Sequence, residues 1–176
     1  MDLLDLYADA SDWAVANAAL AATNPDAETP CEGWDVRTLL NHVLQTQRYF
    51  VGSARGQEVA PPSGPPPEQL SEDPVVDLAR ARTDVLQAFG EEGVLERTGP
   101  LLGIAFADVL VHGWDLARAG GADGTMPAGL AEAAYGVIHG RFTDDQRAGT
   151  FGPEIAVADG ASAQDRLLAY TGRAPG

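Results

Sequence analysis

FADVLVHGWDLARAGG, residues 106–121, is an apolar run that carries Asp108, His112 and Asp115 in its middle and ends on two glycines. Its apolar residues recur with a helical period, and Pro100 before it and Gly120–Gly121 after it mark a start and a stop, so the spacing predicts one helix over about 100–119. On such a helix Asp108 and His112 lie about 40° apart around the axis and one turn apart along it. They can point at one ion. Asp115 falls roughly one turn further on near the same face, where it can join a ligand set, orient a ligand ring, or act as a structural cap.

Working outward, residues 2–22 space Leu3, Leu6, Tyr7, Trp13, Ala16 and Leu20 as an amphipathic helix, broken by TNPDAETPCEGW. Asp35 then offers an N-cap for VRTLLNHVLQTQRYFVGSA, a second helix packing through Leu39, Leu40, Val43, Tyr49 and Phe50. Residues 57–74 hold six prolines and almost no bulky apolar side chain, which predicts an irregular connection. A third helix follows with Val75, Leu78, Ala79, Arg82, Val85, Leu86 and Phe89 at helical spacing. After the Asp108/His112 helix, AGLAEAAYGVIHGRF predicts a fifth, and Ser162 and Asp165 stand at N-cap and N3 spacing to open a short final one. No period-2 run is long enough to seed a sheet. The expectation is all-α: one helical-bundle domain over 1–176, with a long Pro-rich loop and a short C-terminal helix.

With 176 residues and 45% hydrophobic content the chain can bury one sizeable core. Twenty-six acidic residues against 11 basic ones give a formal charge of -15, which argues against nucleic acid or anionic membrane as partner. No apolar run approaches the ~18 residues of a spanning helix, and the acidic start MDLLDLYADASDW is unlike a signal peptide, so a cytoplasmic protein is expected. Cys31 is the single cysteine, so a metal site has to draw on histidine and carboxylate. Cys31 itself, with no His or Lys near it in sequence, reads as a small buried hydrophobe.

The carboxylate and imidazole at i, i+4 give two ligands, and a third has to come from another element. His42, in the middle of the second helix on a face shared with Asp35, Thr38 and Gln45, is the candidate. Two histidines and one carboxylate leave coordination positions open, as catalytic sites do. His139 has no acidic partner at useful spacing and reads as structural. Trp34 and Trp114 read as core aromatics beside a cap and a packing stripe. Of the helix-placed arginines Arg48, Arg82 and Arg118, the last points away from His112, and Arg82 is the candidate cation for a bound cosubstrate.

TPCEGWDVRTLLNHVLQTQRYF (29–50), ADVLVHGWDLARAGG (107–121) and the ending ASAQDRLLAYTGR (161–173) together resemble the actinobacterial metal-binding branch of the DinB-like superfamily, related to the N-terminal domain of mycothiol-dependent maleylpyruvate isomerase. The resemblance implies a four-helix core and a divalent metal on three side chains, which fall on His42, Asp108 and His112. The isomerase has Glu where this chain has Asp108, a shorter arm with the same charge. The resemblance also implies mycothiol as cosubstrate in a metal- and thiol-dependent transferase or isomerase acting on an electrophilic small molecule. Zn2+ is the expected ion, with Ni2+ or Fe2+ next. The ligand set by itself also admits a non-catalytic metal- or small-molecule-binding protein, or a metal-dependent hydrolase. Homodimerisation through apolar helix faces stays open.

Overall fold

The computed structural model describes residues 1–142 and 150–175, and among these it contains seven helices and no strand, with an isolated bridge pairing Glu28 and Asp35. They are α1 (Leu3–Ala21), α2 (Val36–Ala54), α3 (Pro74–Gly90), α4 (Val94–Thr98), α5 (Leu101–Ala119), α6 (Leu130–Ile138) and α7 (Ala163–Tyr170). α1 packs on α5 and α3, and α2 packs on α3 and α5, which closes a four-helix ring; α6 leans on α5, and α7 leans on α6. This is an all-α, DinB-like bundle.

The helix starts follow from local chemistry. Asp2 and Asp5 form a capping box at α1, Asp35 accepts from the Thr38 N–H at 2.8 Å to open α2, Asp73 caps α3 ahead of Pro74, and Ser162 with Asp165 forms a second box at α7. The short α4 has no apolar period to announce it. It is bounded by Gly93 and Gly99 and held by Arg97, which donates to the Ala54 carbonyl.

α1 departs from the expected stripe. Ala16 and Leu20 are exposed, while Tyr7, Ala10, Ala14, Ala18 and Ala21 are buried. The cause lies on α5, where a Cβ added at Gly113 would sit 3.0 Å from both Ala14 and the Trp13 ring, and one at Gly120 would sit 3.0 Å from the Ala21 backbone nitrogen. Around Gly113 and Gly120 the two helices approach so closely that α1 meets α5 there through alanines.

The Pro-rich connection is irregular, as expected, yet tied at both ends. The Gln57 N–H donates to Gly52 O at 2.9 Å, and Val59 lies against Gly52. At the other end Asn41 grips the chain: its Oδ1 accepts from the Gln69 N–H at 2.8 Å and its Nδ2 donates to Glu68 at 3.0 Å. α6 is shorter than AGLAEAAYGVIHGRF suggests, because Gly129 enters the left-handed region ahead of it and His139 leaves the helix in an extended conformation.

Candidate metal centre

Asp108 and His112 leave α5 one turn apart, as their spacing requires, with His112 Nε2 3.6 Å from Asp108 Oδ1. His42, on α2, sets its ring edge-on to that of His112 with centroids 5.0 Å apart. One donor atom from each of His42, Asp108 and His112 lies within 4.8 Å of the other two. Donors about 2.1 Å from a tetrahedral zinc are about 3.4 Å apart, close to the separation of the Asp108 and His112 atoms. Two neutral nitrogens and one carboxylate oxygen are an appropriate donor chemistry for a divalent ion.

The far side of the His112 ring is closed. Its Nδ1 is 3.0 Å from Asp115 Oδ2. That carboxylate, fully shielded from solvent, takes two further bonds from Arg173, Nη2 to Oδ2 at 2.7 Å and Nε to Oδ1 at 3.2 Å. The Cys31 Sγ is 3.2 Å from the same Oδ2 and 3.4 Å from Arg173 Nη2. Asp115 therefore orients the ring; helix capping is not its role, since α5 ends at Gly120 without it.

Electrostatics separates the two histidines. Burial pushes His42 down to about 4, helped by the positive charge of His112. Burial opposes a proton on His112 too, but the bonds to Asp115 and Cys31 and the charge of Asp108 prevail and carry it up to about 10. Asp115 is also penalised by burial, yet the Arg173 guanidinium holds its carboxyl well below the usual carboxylate range.

Behind Asp108 runs a buried chain of polar groups. The Tyr7 hydroxyl donates to Gln47 Oε1, Gln47 Nε2 approaches Thr46 Oγ1 at 3.4 Å, and the Thr46 hydroxyl donates to Asp108 Oδ2 at 2.9 Å. With Oδ2 so engaged, Oδ1 is left facing His112. One turn from His42, the Gln45 Oε1 atom is buried without a hydrogen-bond partner among the described residues.

Several sequence expectations are corrected here. Cys31 is not merely a small hydrophobe: it packs against the core, but its thiol also touches Asp115 and Arg173, 84 and 142 residues away in the chain. His112, Asp115 and Cys31 form a second group with metal-ligand spacing, but Arg173 already occupies the carboxylate oxygen an ion would need there. Trp34 does more than fill volume, since its ring lies 4.8 Å from that of His42 and walls that side of the cluster. Trp114 is the buried core aromatic expected of it, and His139 stacks on Tyr135 with its ring tilted against Tyr170. Arg82 makes a two-point ion pair with Asp12 on α1, Nε to Oδ1 and Nη2 to Oδ2 both at 2.7 Å. Beside the histidine cluster lies the guanidinium of Arg173, whose carboxylate partner Asp115 is 58 residues away in the chain.

The tight loop 29–34 delivers Cys31 and Trp34. Thr29 Oγ1 donates to Trp34 O at 2.8 Å, the Trp34 N–H donates to Cys31 O at 3.0 Å, and Gly33 takes a φ of 76° that suits glycine. A four-helix ring that brings two imidazoles and a carboxylate together from facing helices, with a buried carboxylate behind one imidazole, defines a small DinB-like protein with a candidate metal centre. The chain belongs to the mycothiol maleylpyruvate isomerase N-terminal domain family, whose model matches residues 7–117. No curated protein and no solved structure matches it.

Proposed function

We propose that this protein holds a divalent ion, zinc before nickel or iron, on His42, Asp108 and His112, and uses a low-molecular-weight thiol, mycothiol, in a transferase or isomerase reaction on an electrophilic small molecule. The observation that carries the reading is the trio of donor atoms within 4.8 Å of one another, in a family whose name includes the thiol. A divalent ion on two neutral imidazoles and one carboxylate keeps a charge of about +1 and supplies the Lewis acidity that lowers the pKa of a thiol or polarises a carbonyl.

The residues around it have separable tasks. Asp115 holds the His112 ring so that Nε2 faces Asp108. Thr46 occupies one oxygen of Asp108 and frees the other. Trp34 shields His42 from water on one side.

The test is mass spectrometry of metal-loaded protein incubated with mycothiol and a small electrophile. Formation of the thiol adduct or of an isomerised product should depend on the metal, disappear in His42→Ala, and persist in Cys31→Ser, which removes the chain's own thiol. Absence of any product at millimolar thiol, in protein that carries one ion per chain, would leave metal binding without thiol chemistry.

A further inference from the structure

We propose that Arg173 is a positioning residue for the metal ligand His112, acting through Asp115; this rests on the ligand set argued above. Arg173 follows α7, outside the 7–117 span of the family match and 58 residues from Asp115 in the chain. Its guanidinium reaches back to bond both oxygens of Asp115, at 2.7 and 3.2 Å, and its Nη1 donates to Thr171 O at 2.9 Å. Its side chain is 10% exposed and that of Asp115 is fully buried. The fork fixes the plane of the carboxylate, and the carboxylate fixes the His112 ring through Nδ1 at 3.0 Å. Asp115 lies on the same helix as His112, three residues on, so α5 alone presents it to the ring but does not hold its plane. Without Arg173 it is a buried anion whose least costly response is to turn toward water, and the ring loses its anchor. A segment distant in sequence thereby sets the aim of a ligand on the central helix.

The experiment is zinc affinity by competition with a chromophoric chelator, on folded full-length variants checked by circular dichroism. Arg173→Met should bind zinc about 10–100-fold more weakly than the parent, the usual effect of removing a group that orients a metal ligand. Arg173→Gln, which keeps one donor, should fall between them and carries the same test where Arg173→Met does not fold. Because the two residues act in series, Asp115→Asn combined with Arg173→Met should be no weaker than Asp115→Asn alone. Parental affinity in both Arg173 variants, or losses that multiply in the double variant, would overturn the proposal. If the parent itself binds no zinc, the functional reading fails. The inference is then decided in metal-free protein by the His112 Nδ1–H proton in NMR spectra, which should be hydrogen-bonded and visible in the parent and lost in Arg173→Met; an unchanged resonance there sinks it.

Discussion

The two sides of the His112 ring are built on opposite principles. On the Nδ1 side every strong hydrogen-bonding group is saturated from within the chain: Asp115 is buried and shared among His112, Arg173 and Cys31. On the Nε2 side Asp108 is 21% exposed, His42 is half-buried, and a donor atom on each has capacity to spare. The closed side is a matter of stability and aim, and the open side leaves donor atoms for the ion proposed above. A helix with carboxylates at both positions, Asp108 and Asp115, thus assigns them different work through their surroundings alone.

The largest expected effect strikes the closed side. Asp115→Ala strands the Arg173 cation in the interior and should cost about 3–5 kcal/mol in urea unfolding, as loss of one partner from a buried pair does. Asp108→Ala should cost about 1 kcal/mol, the scale of its bond to Thr46, while abolishing metal retention by elemental analysis. Equal destabilisation by the two variants would erase the distinction between the sides.

A second contrast is in protons. His42, held down to about 4, is neutral at pH 7 and yields its lone pair freely, whereas His112, held up to about 10, must release a proton to an incoming ion. Calorimetry in buffers of different ionisation enthalpy should find close to one proton released per ion at pH 7. Affinity should rise about tenfold per pH unit between those limits. In the metal-free protein the sign is reversed: the raised pKa of His112 adds stability that is full below its unfolded value of about 6.5 and is lost as pH rises toward 10. Flat affinity across pH 6–9 would show that His112 carries no proton there.

The smallest effect belongs to Cys31. A hydroxyl preserves the contact with Asp115, so Cys31→Ser should shift unfolding by less than about 1 kcal/mol, read by the same urea titration.

What the sequence disclosed was what local geometry controls. The Asp108/His112 pair, the Asp35 cap and the Ser162/Asp165 box are contacts within four residues, and period and spacing reveal them. Four of the bundle's helices could be read from apolar periodicity. The contact face of α1 could not, because its alanine stripe answers to the glycines of another helix. Arg173 and Cys31 escaped for the same reason: each meets Asp115 only after the chain has folded. Arg173 ends the 161–173 stretch that carries part of the resemblance, yet nothing in its spacing marks a partner 58 residues away.

The anchoring of the Pro-rich connection has a consequence for how such a protein can diverge. Gln57 and Val59 fasten one end to Gly52, and Asn41 fastens Glu68 and Gln69 at the other, directly beside His42. Each doubling of a flexible loop costs only about 0.6 kcal/mol. Insertions and deletions between Ala60 and Pro67 should therefore leave the melting temperature nearly unchanged, whereas a change at Asn41 should not. Lineages carrying this bundle can thus vary the length and chemistry of the strap while the histidine beside its anchor stays in place.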